Sequence, residues 1–133
     1  MFITPDIVVT SHDLQRLHEL IRNSQSAAVD RLDEELARAH VVAPGEVAHD
    51  VVTMNSEVEF QDTLSGTQRR VRLVYPDAAD AANGRISILS PLGSALLGLR
   101  VGQEFDWMMP NGKRRVRVVN VPYQPEAGGD YDL

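Results

Sequence analysis

The chain has 133 residues, 43% of them hydrophobic and 24% charged, which is typical of one soluble globular domain or a small domain with an appendage. It contains no cysteine, which excludes disulfides, thiolate metal sites and thiol nucleophiles. A signal-peptide pattern is also absent, and no apolar run approaches the ~20 residues needed to cross a bilayer. We therefore expect a soluble, cytoplasmic protein without membrane contact.

The net charge of −6 is unevenly distributed along the chain. Residues 1–50 hold four basic and nine acidic residues, whereas residues 51–123 hold nine basic and seven acidic residues. An acidic N-terminal segment is a poor nucleic-acid binder, because phosphate contacts supply most non-specific affinity. It suits a basic surface on another macromolecule better, although a solvated acidic helix face explains the charge at least as well.

Residues 1–45 predict a short strand followed by an antiparallel helical hairpin. The β-branched run 7–9 leads into a cluster of helix-start residues at 10–13, and polar residues at 23–26 separate two amphipathic stretches. Apolar residues recur at helical spacing at Leu14, Leu17, Leu20 and Ile21, and then at Val29, Leu32, Leu36 and Ala39. The second set has the spacing of a coiled-coil seam. Arms of roughly 12–14 residues make a hairpin that projects only ~20 Å.

Residues 46–133 predict a small antiparallel sheet with one short helix, so that the whole chain is of the α+β class. Ala43-Pro44-Gly45 forms the expected hinge, and from Val51 onwards apolar residues alternate with polar ones. The alternating segments contain Val58 and Phe60; Val71, Leu73 and Tyr75; Ile86 and Ile88; Phe105, Trp107 and Met109; and Val116 and Val118. Pro110-Asn111-Gly112 predicts a hairpin turn. Ser90 is expected to open the helix, with 95–99 as its body and Gly102 at its close.

No segment carries a catalytic or metal-binding pattern. His12 and His18 are six residues apart and fall on different sides of a helix, and the remaining two histidines have no better spacing. The nucleophile-elbow, P-loop and dinucleotide-binding fingerprints are absent. Glu57 and Glu59 share a strand face but have no third polar partner. We predict no catalytic residue, no metal and no cofactor.

Two arginine-rich strands offer a further candidate surface. Arg70 and Arg72 lie on one predicted strand and Arg115 and Arg117 on another, so that neighbouring strands would form a positive face. Such a face would contact phosphate or an acidic partner. The alternative, which we favour, is an ordinary outward face whose charge is balanced by acidic residues such as Glu57.

A resemblance to a known family is carried by four segments: Asp50–Ser56, Leu73–Pro76, Ile88–Gly98 and Tyr123–Tyr131. The run SPLGSALLG at 90–98 and the tail YQPEA at 123–127 are the most specific of them. Together they resemble the Rnk family, regulators of nucleoside diphosphate kinase that are relatives of the bacterial Gre transcript-cleavage factors. The likeness extends over essentially the whole chain.

This resemblance implies an FKBP-like C-terminal domain and docking at the secondary-channel rim of bacterial RNA polymerase. In Gre-like domains, the loop that enters the short helix grips the polymerase, and this loop corresponds to Ser90, Pro91 and Leu92. Pro91 would stiffen a loop that presents Leu92 to the partner. The alternative is that Leu92 caps the core of its own domain.

The hairpin tip departs from the pattern of the cleavage factors. Cleavage-competent Gre factors resemble one another in acidic tip residues, whereas the tip here is Arg22, Asn23, Ser24, Gln25 and Ser26, with no carboxylate until Asp30. The arms are also too short to reach the polymerase active centre. We therefore expect a monomeric, non-enzymatic regulator that competes with Gre factors, without cleaving transcripts or binding nucleic acid sequence-specifically.

Two other functions stay open. FKBP-like folds include peptidyl-prolyl isomerases, although one tryptophan, three tyrosines and three phenylalanines are few for the aromatic pocket of such an enzyme. The second is a protein–protein adaptor that regulates nucleoside diphosphate kinase without polymerase contact.

Overall fold

The computed structural model describes residues 7–24, 26–109 and 112–130, and within these it gives the backbone alone for 107–109. The elements in chain order are β1 (Val8–Thr10), α1 (Ser11–Arg22), α2 (Ala27–Ala37), β2 (His40–Val42), β3 (Glu57–Asp62), β4 (Gln68–Val74), β5 (Arg85–Ser87), α3 (Pro91–Leu96), β6 (Glu104–Met109) and β7 (Gly112–Tyr123). Short 3₁₀ turns occupy Pro44–Glu46, Pro76–Ala78 and Ala81–Asn83. This mixture of helices and sheet confirms the predicted α+β class.

Five strands form one sheet in the order β5-β4-β3-β7-β6. The prediction that this sheet is antiparallel is wrong for one strand, because β5 runs parallel to β4 with Arg72 opposite Arg85. Two 3₁₀ turns between β4 and β5 carry the chain back towards the start of β4, and Gly84 completes the return with a φ of 74°. Alternation in sequence indicates which face of a strand is buried, but it does not give strand direction.

The remaining pairings follow the predicted pattern. β3 pairs antiparallel with β4 and β7, and β6 pairs antiparallel with β7 from Glu104 opposite Arg117 to Met109 opposite Gly112. The predicted turn at Pro110 and Asn111 lies outside the described residues, while the pairing on either side of it is that of a hairpin. Inward residues of these strands, such as Val58 and Val118, are fully buried.

The two N-terminal helices pack against each other, and each is capped at its N-terminus by a side-chain hydroxyl. Thr10 accepts the backbone N–H of Asp13 at the start of α1, and Ser26 accepts that of Val29 at the start of α2. Sequence patterning missed β2, a strand of three residues that pairs in parallel with β1. This pair brings the end of the helical segment back beside its beginning.

One continuous hydrophobic core extends from the helices into the sheet. Leu17, Leu32 and Leu36 of the helices are buried in the same cluster as Leu92 and Leu96 of α3. The helices therefore bury their apolar stripes against the rest of the chain as well as against each other. The division at residue 45 remains a proposal about two segments of one packed structure.

Helix α3 is shorter than the sequence pattern predicts. It covers Pro91–Leu96, and the chain leaves the helix at Leu97, so the expected body at 95–99 is wrong. The reason is Gly98, which has a φ of +81° and lies so close to β1 that a Cβ atom there would be 2.5 Å from the Cβ of Ile7. The Gly98 carbonyl instead accepts the N–H of Val8, which attaches β1 to this segment.

Candidate docking surface

The loop that enters α3 is held by a dense set of local hydrogen bonds. Ser90 Oγ donates to the Ser87 carbonyl at 2.7 Å and accepts the Gly93 N–H at 3.0 Å, which caps the helix. The Ser90 N–H donates to the same Ser87 carbonyl at 3.0 Å, and Ser87 Oγ accepts the Leu89 N–H at 3.1 Å. These bonds fix the loop before any partner arrives, which lowers the entropy lost on binding.

Within this loop, neighbouring side chains point in different directions. Pro91 is exposed at the first helical position and Ser90 is half-buried. Leu92 is only 6% exposed and belongs to the core, as the alternative interpretation of this residue had it. Gly93 packs so tightly that an added Cβ would lie 2.1 Å from the Ser87 carbonyl oxygen. The surface offered to a partner is therefore Pro91 with Ser90, supported from beneath by Leu92, whose part in docking remains a prediction.

The described residues of the hairpin tip are polar and lie at the surface. Arg22, Asn23 and Ser26 are exposed and Ser24 is half-buried, while Gln25 lies outside the described residues. Asn23 ends α1 with its N–H donating to the Glu19 carbonyl, the Ser24 N–H donates to the Ile21 carbonyl, and the Ser26 hydroxyl is occupied as the cap of α2. The tip is thus built from helix-capping groups.

Sequence reasoning missed a buried carboxylate that links α1 to the loop before β3. Asp13, 2% exposed, accepts the Met54 N–H at 3.0 Å across 41 residues of chain. Burial raises the pKa of Asp13 to about 6, although the Met54 hydrogen bond acts in the opposite direction. Its position in the first turn of α1 had suggested only a helix-start residue, and no local pattern indicates the distant backbone partner.

The C-terminal segment is fastened to the same region by polar side chains. Thr53 Oγ1 donates to Glu126 Oε1 at 2.6 Å, and the two hydroxyls of Thr53 and Ser56 lie 2.8 Å apart. The buried Gln124 amide donates to the carbonyls of Ala48 and Val51 at 2.8 and 2.7 Å. These bonds explain the specific tail sequence, whose polar residues are structural.

The ring of Tyr75 lies close to this polar region. The Arg16 guanidinium lies 4.2 Å from the centre of the Tyr75 ring, within the range of a cation–π contact. Burial and the nearby Asp13 raise the pKa of Tyr75, so its hydroxyl stays neutral. In the described part of the chain, that buried hydroxyl has no hydrogen-bond partner.

The arginine-rich strands form an outer sheet face on which most charges are paired, as the favoured alternative held. Arg72 lies 2.9 Å from Glu57, to which Arg70 is also hydrogen-bonded. On the other half of the sheet, Arg117 lies 3.0 Å from Glu104. The register places alternating columns of cations and carboxylates side by side on β4, β3, β7 and β6. Such a face is a solvated ionic surface.

The described residues contain no group of three or more histidine, aspartate or glutamate side chains placed to hold a metal ion. Within the same residues, no helix is long and apolar enough to cross a membrane.

Comparison with known proteins identifies the class to which this fold belongs. The C-terminal family model of the transcription elongation factors GreA/GreB matches residues 47–123, and a model of the Rnk N-terminus matches residues 5–42. The chain belongs to the GreA/GreB family and carries an Rnk-type N-terminal segment. It is similar over nearly its whole length to the regulator of nucleoside diphosphate kinase of Escherichia coli K12, with 41% identity over 97% of this chain and 98% of that protein.

Solved structures of relatives have the same fold. A GreA/GreB elongation factor from Nitrosomonas europaea matches 90% of this chain and 99% of its own with 46% identity and a TM-score of 0.77. GreA factor homolog 1 of Thermus thermophilus matches 90% of this chain and 100% of its own with 26% identity and a TM-score of 0.51. These relatives are regulators and transcription factors, which confirms the expectation of a Gre-like, non-enzymatic regulator.

Proposed function

We propose that this protein binds RNA polymerase at the secondary-channel rim through the loop at Ser90, Pro91 and Leu92, and competes there with Gre factors without stimulating transcript cleavage. The observation that carries the proposal is the exposed Pro91 on a loop fixed by hydrogen bonds to Ser87. A rigid apolar residue on a preformed loop is well suited to contact a partner. The GreA/GreB match over 47–123 includes this loop.

The absence of cleavage activity is inferred from the hairpin. In the described part of the tip, the polar groups are one amide, two hydroxyls and one guanidinium, and Ser26 Oγ is already occupied as a cap. Neutral oxygens are weaker ligands than carboxylates for a hard divalent cation, and Arg22 opposes a metal ion nearby. Helix α1 has 12 residues, about 18 Å at 1.5 Å per residue, which limits its reach.

A cleavage assay on backtracked polymerase tests this proposal. Added alone, the protein is expected to leave RNA cleavage at the level of polymerase by itself. Added before a Gre factor, it should reduce cleavage, and the reduction should disappear as the Gre concentration rises, because two ligands of one site follow mass action. Strong cleavage by this protein alone would refute the tip argument, and undiminished Gre activity at saturating protein would refute the shared site.

The finer description of the fold belongs to the same proposal. The segments 1–45 and 46–133 are taken as a short coiled coil and an FKBP-like unit. Burial of Val29, Leu32 and Leu36 at offsets of three and four supports the coiled coil. The two family matches, at 5–42 and 47–123, fall on either side of the division.

A second candidate is an adaptor that acts on nucleoside diphosphate kinase without polymerase contact. The name of the Escherichia coli relative favours it. A pulldown with the full chain distinguishes the two functions, because polymerase subunits should co-purify in the first case and the kinase alone in the second.

A further inference from the structure

A polar groove lies where the outer face of the sheet meets its β5 edge. The groove has a volume of about 600 Å³, and its lining includes Arg70, Arg72, Arg85, Glu57 and Asn55. Three arginines against one glutamate give the charged lining a net charge of +2. On a protein with a net charge of −6, this is a local reversal of sign.

The arginines of this groove, here the arginine groove, are neighbours because of the strand register. Arg70 and Arg72 are two residues apart on β4 and share a face, and Arg85 lies opposite Arg72 on β5. Like charges at paired positions of a sheet are destabilising. Glu57 offsets two of them, since both Arg70 and Arg72 are hydrogen-bonded to it.

The third arginine, Arg85, takes no part in this pairing with Glu57. Within the described residues, Arg85 has no carboxylate at ion-pair distance, and its side chain is exposed. The nearest acidic neighbour along the chain, Asp80, pairs with Arg85 through backbone atoms, while its carboxylate accepts from the Asn83 amide. The guanidinium of Arg85 therefore lies beside those of Arg70 and Arg72, which both bind the Glu57 carboxylate.

We infer that the arginine groove receives a carboxylate-rich segment of the same protein partner on which the Ser90–Pro91 loop docks. This inference rests on the proposed docking function. The link between the two surfaces is β5, because Arg85 and Ser87 project to the same face of that strand and Ser87 holds the loop. Arg85 and Pro91 are thus six residues apart along a segment fixed by hydrogen bonds, so that one partner can contact both.

A carboxylate-bearing protein segment fits the groove better than a phosphorylated small molecule. Sites for small ligands bury most of the ligand surface, whereas the side chains of Arg70 and Arg72 are 58% and 35% exposed. The Glu57 carboxylate lies 2.9 Å from the Arg72 guanidinium, so the lining already binds one carboxylate. Charged rims of this kind steer association and set orientation more than they add affinity.

Three outward backbone groups of the β5 edge are already hydrogen-bonded, which opposes addition of a partner strand there. The outward N–H and carbonyl of Arg85 are both bonded to Asp80, and the Ser87 carbonyl accepts from Ser90. Recognition through the arginine side chains fits this edge better than backbone pairing does.

The test compares two charge reversals in binding of the full chain to core RNA polymerase. Arg85→Glu alters the groove, whereas Arg100→Glu makes the same change at an exposed arginine that does not line it. At low salt, Arg85→Glu is expected to weaken binding about tenfold, mainly through slower association, and the difference should shrink as salt rises. Arg100→Glu should stay within about twofold of the parent chain, as expected for a charge outside the interface.

Soluble competitors distinguish a carboxylate-binding groove from a phosphoryl-binding groove. A hexaglutamate peptide should displace the parent chain from polymerase more strongly than pyrophosphate at equal ionic strength. The reverse order would overturn the inference in favour of a phosphoryl site. Equal binding by Arg85→Glu and the parent chain would overturn it while leaving the docking proposal intact. Absence of parent binding to polymerase would overturn the docking proposal, and this inference with it.

Discussion

The pKa values of acidic side chains are shifted in opposite directions in the helical region and on the sheet. In the helices, burial raises the pKa of Asp13 to about 6 and that of Glu35 to about 7. On the sheet, hydrogen bonds from arginines lower the pKa of Glu57 and Asp62. Asp13 of α1 is therefore held in the protein interior and Glu35 of α2 is half-buried, whereas Glu57 and Asp62 lie beside arginines on the sheet.

This difference shows how each region is attached to the rest of the molecule. Asp13 lies in the interface between α1 and the loop before β3, where its charge is costly but its hydrogen bond to Met54 joins two distant segments. Replacing Glu57 should change the free energy of unfolding little, because exposed ion pairs contribute little to stability. Substitutions in the helical region should consequently affect the whole protein, and substitutions on the sheet face should not.

The largest effect is expected from a cavity in the shared core. Leu32 of α2 is fully buried, and Leu32→Ala should lower the free energy of unfolding by about 2–5 kcal/mol. Because the helices and the sheet share this core, helical circular dichroism and the fluorescence of the single tryptophan should report one transition at a lower temperature.

The matched control is Leu64→Ala, since this side chain is 89% exposed. It should change stability by no more than about 0.5 kcal/mol. Loss of the helical signal while the sheet remained folded would show that the helices are an independent appendage.

A smaller effect is expected from the pH dependence of stability. The folded pKa of Asp13, about 6, lies above the ordinary value of 3.8, so the folded state retains a proton that the unfolded state has lost between about pH 4 and pH 6. Stability should therefore fall as pH rises through this window, by on the order of 3 kcal/mol from Asp13. Asp13→Asn keeps an oxygen that accepts from Met54 and should remove this part of the fall, as measured by urea unfolding at pH 4 to 7.

The smallest effect, with the opposite sign, comes from the sheet. Glu57 has a lowered pKa, so its contribution is present above pH 4.5 and disappears as pH falls below that value. Glu57→Gln should cost at most about 1 kcal/mol at pH 7 and leave the change between pH 5 and pH 7 as in the parent chain. The comparison would be reversed if Asp13→Asn left the pH dependence of stability unaltered and Glu57→Gln removed it.

Sequence periodicity predicted the helices and most strands, because amphipathic spacing reflects which residues are buried. It could not predict the β1–β2 pair or the direction of β5, since both depend on partners more than ten residues away. The end of α3 was misplaced because the leucines after Leu96 continue the helical pattern, while the contact of Gly98 with Ile7 is long-range.

The candidate site was predicted less completely than the fold. The capping role of Ser90 follows from its place before a proline and a helical run. The burial of Leu92 and the exposure of Pro91 depend on how α3 lies on the core. That Arg85 has no carboxylate partner among the described residues depends on a cross-strand register that the sequence does not encode locally.

The most direct test of the docking claim is equilibrium binding of the full chain to core RNA polymerase, with a Gre factor as competitor. Pro91→Asp should weaken binding at least about tenfold while the melting temperature stays near that of the parent chain, because the side chain is exposed and a charge is placed in an apolar contact. Leu64→Asp, the same kind of change at another exposed site, should bind normally, and a Gre factor should displace the parent chain. Binding that survives both Pro91→Asp and saturating Gre factor would contradict the account.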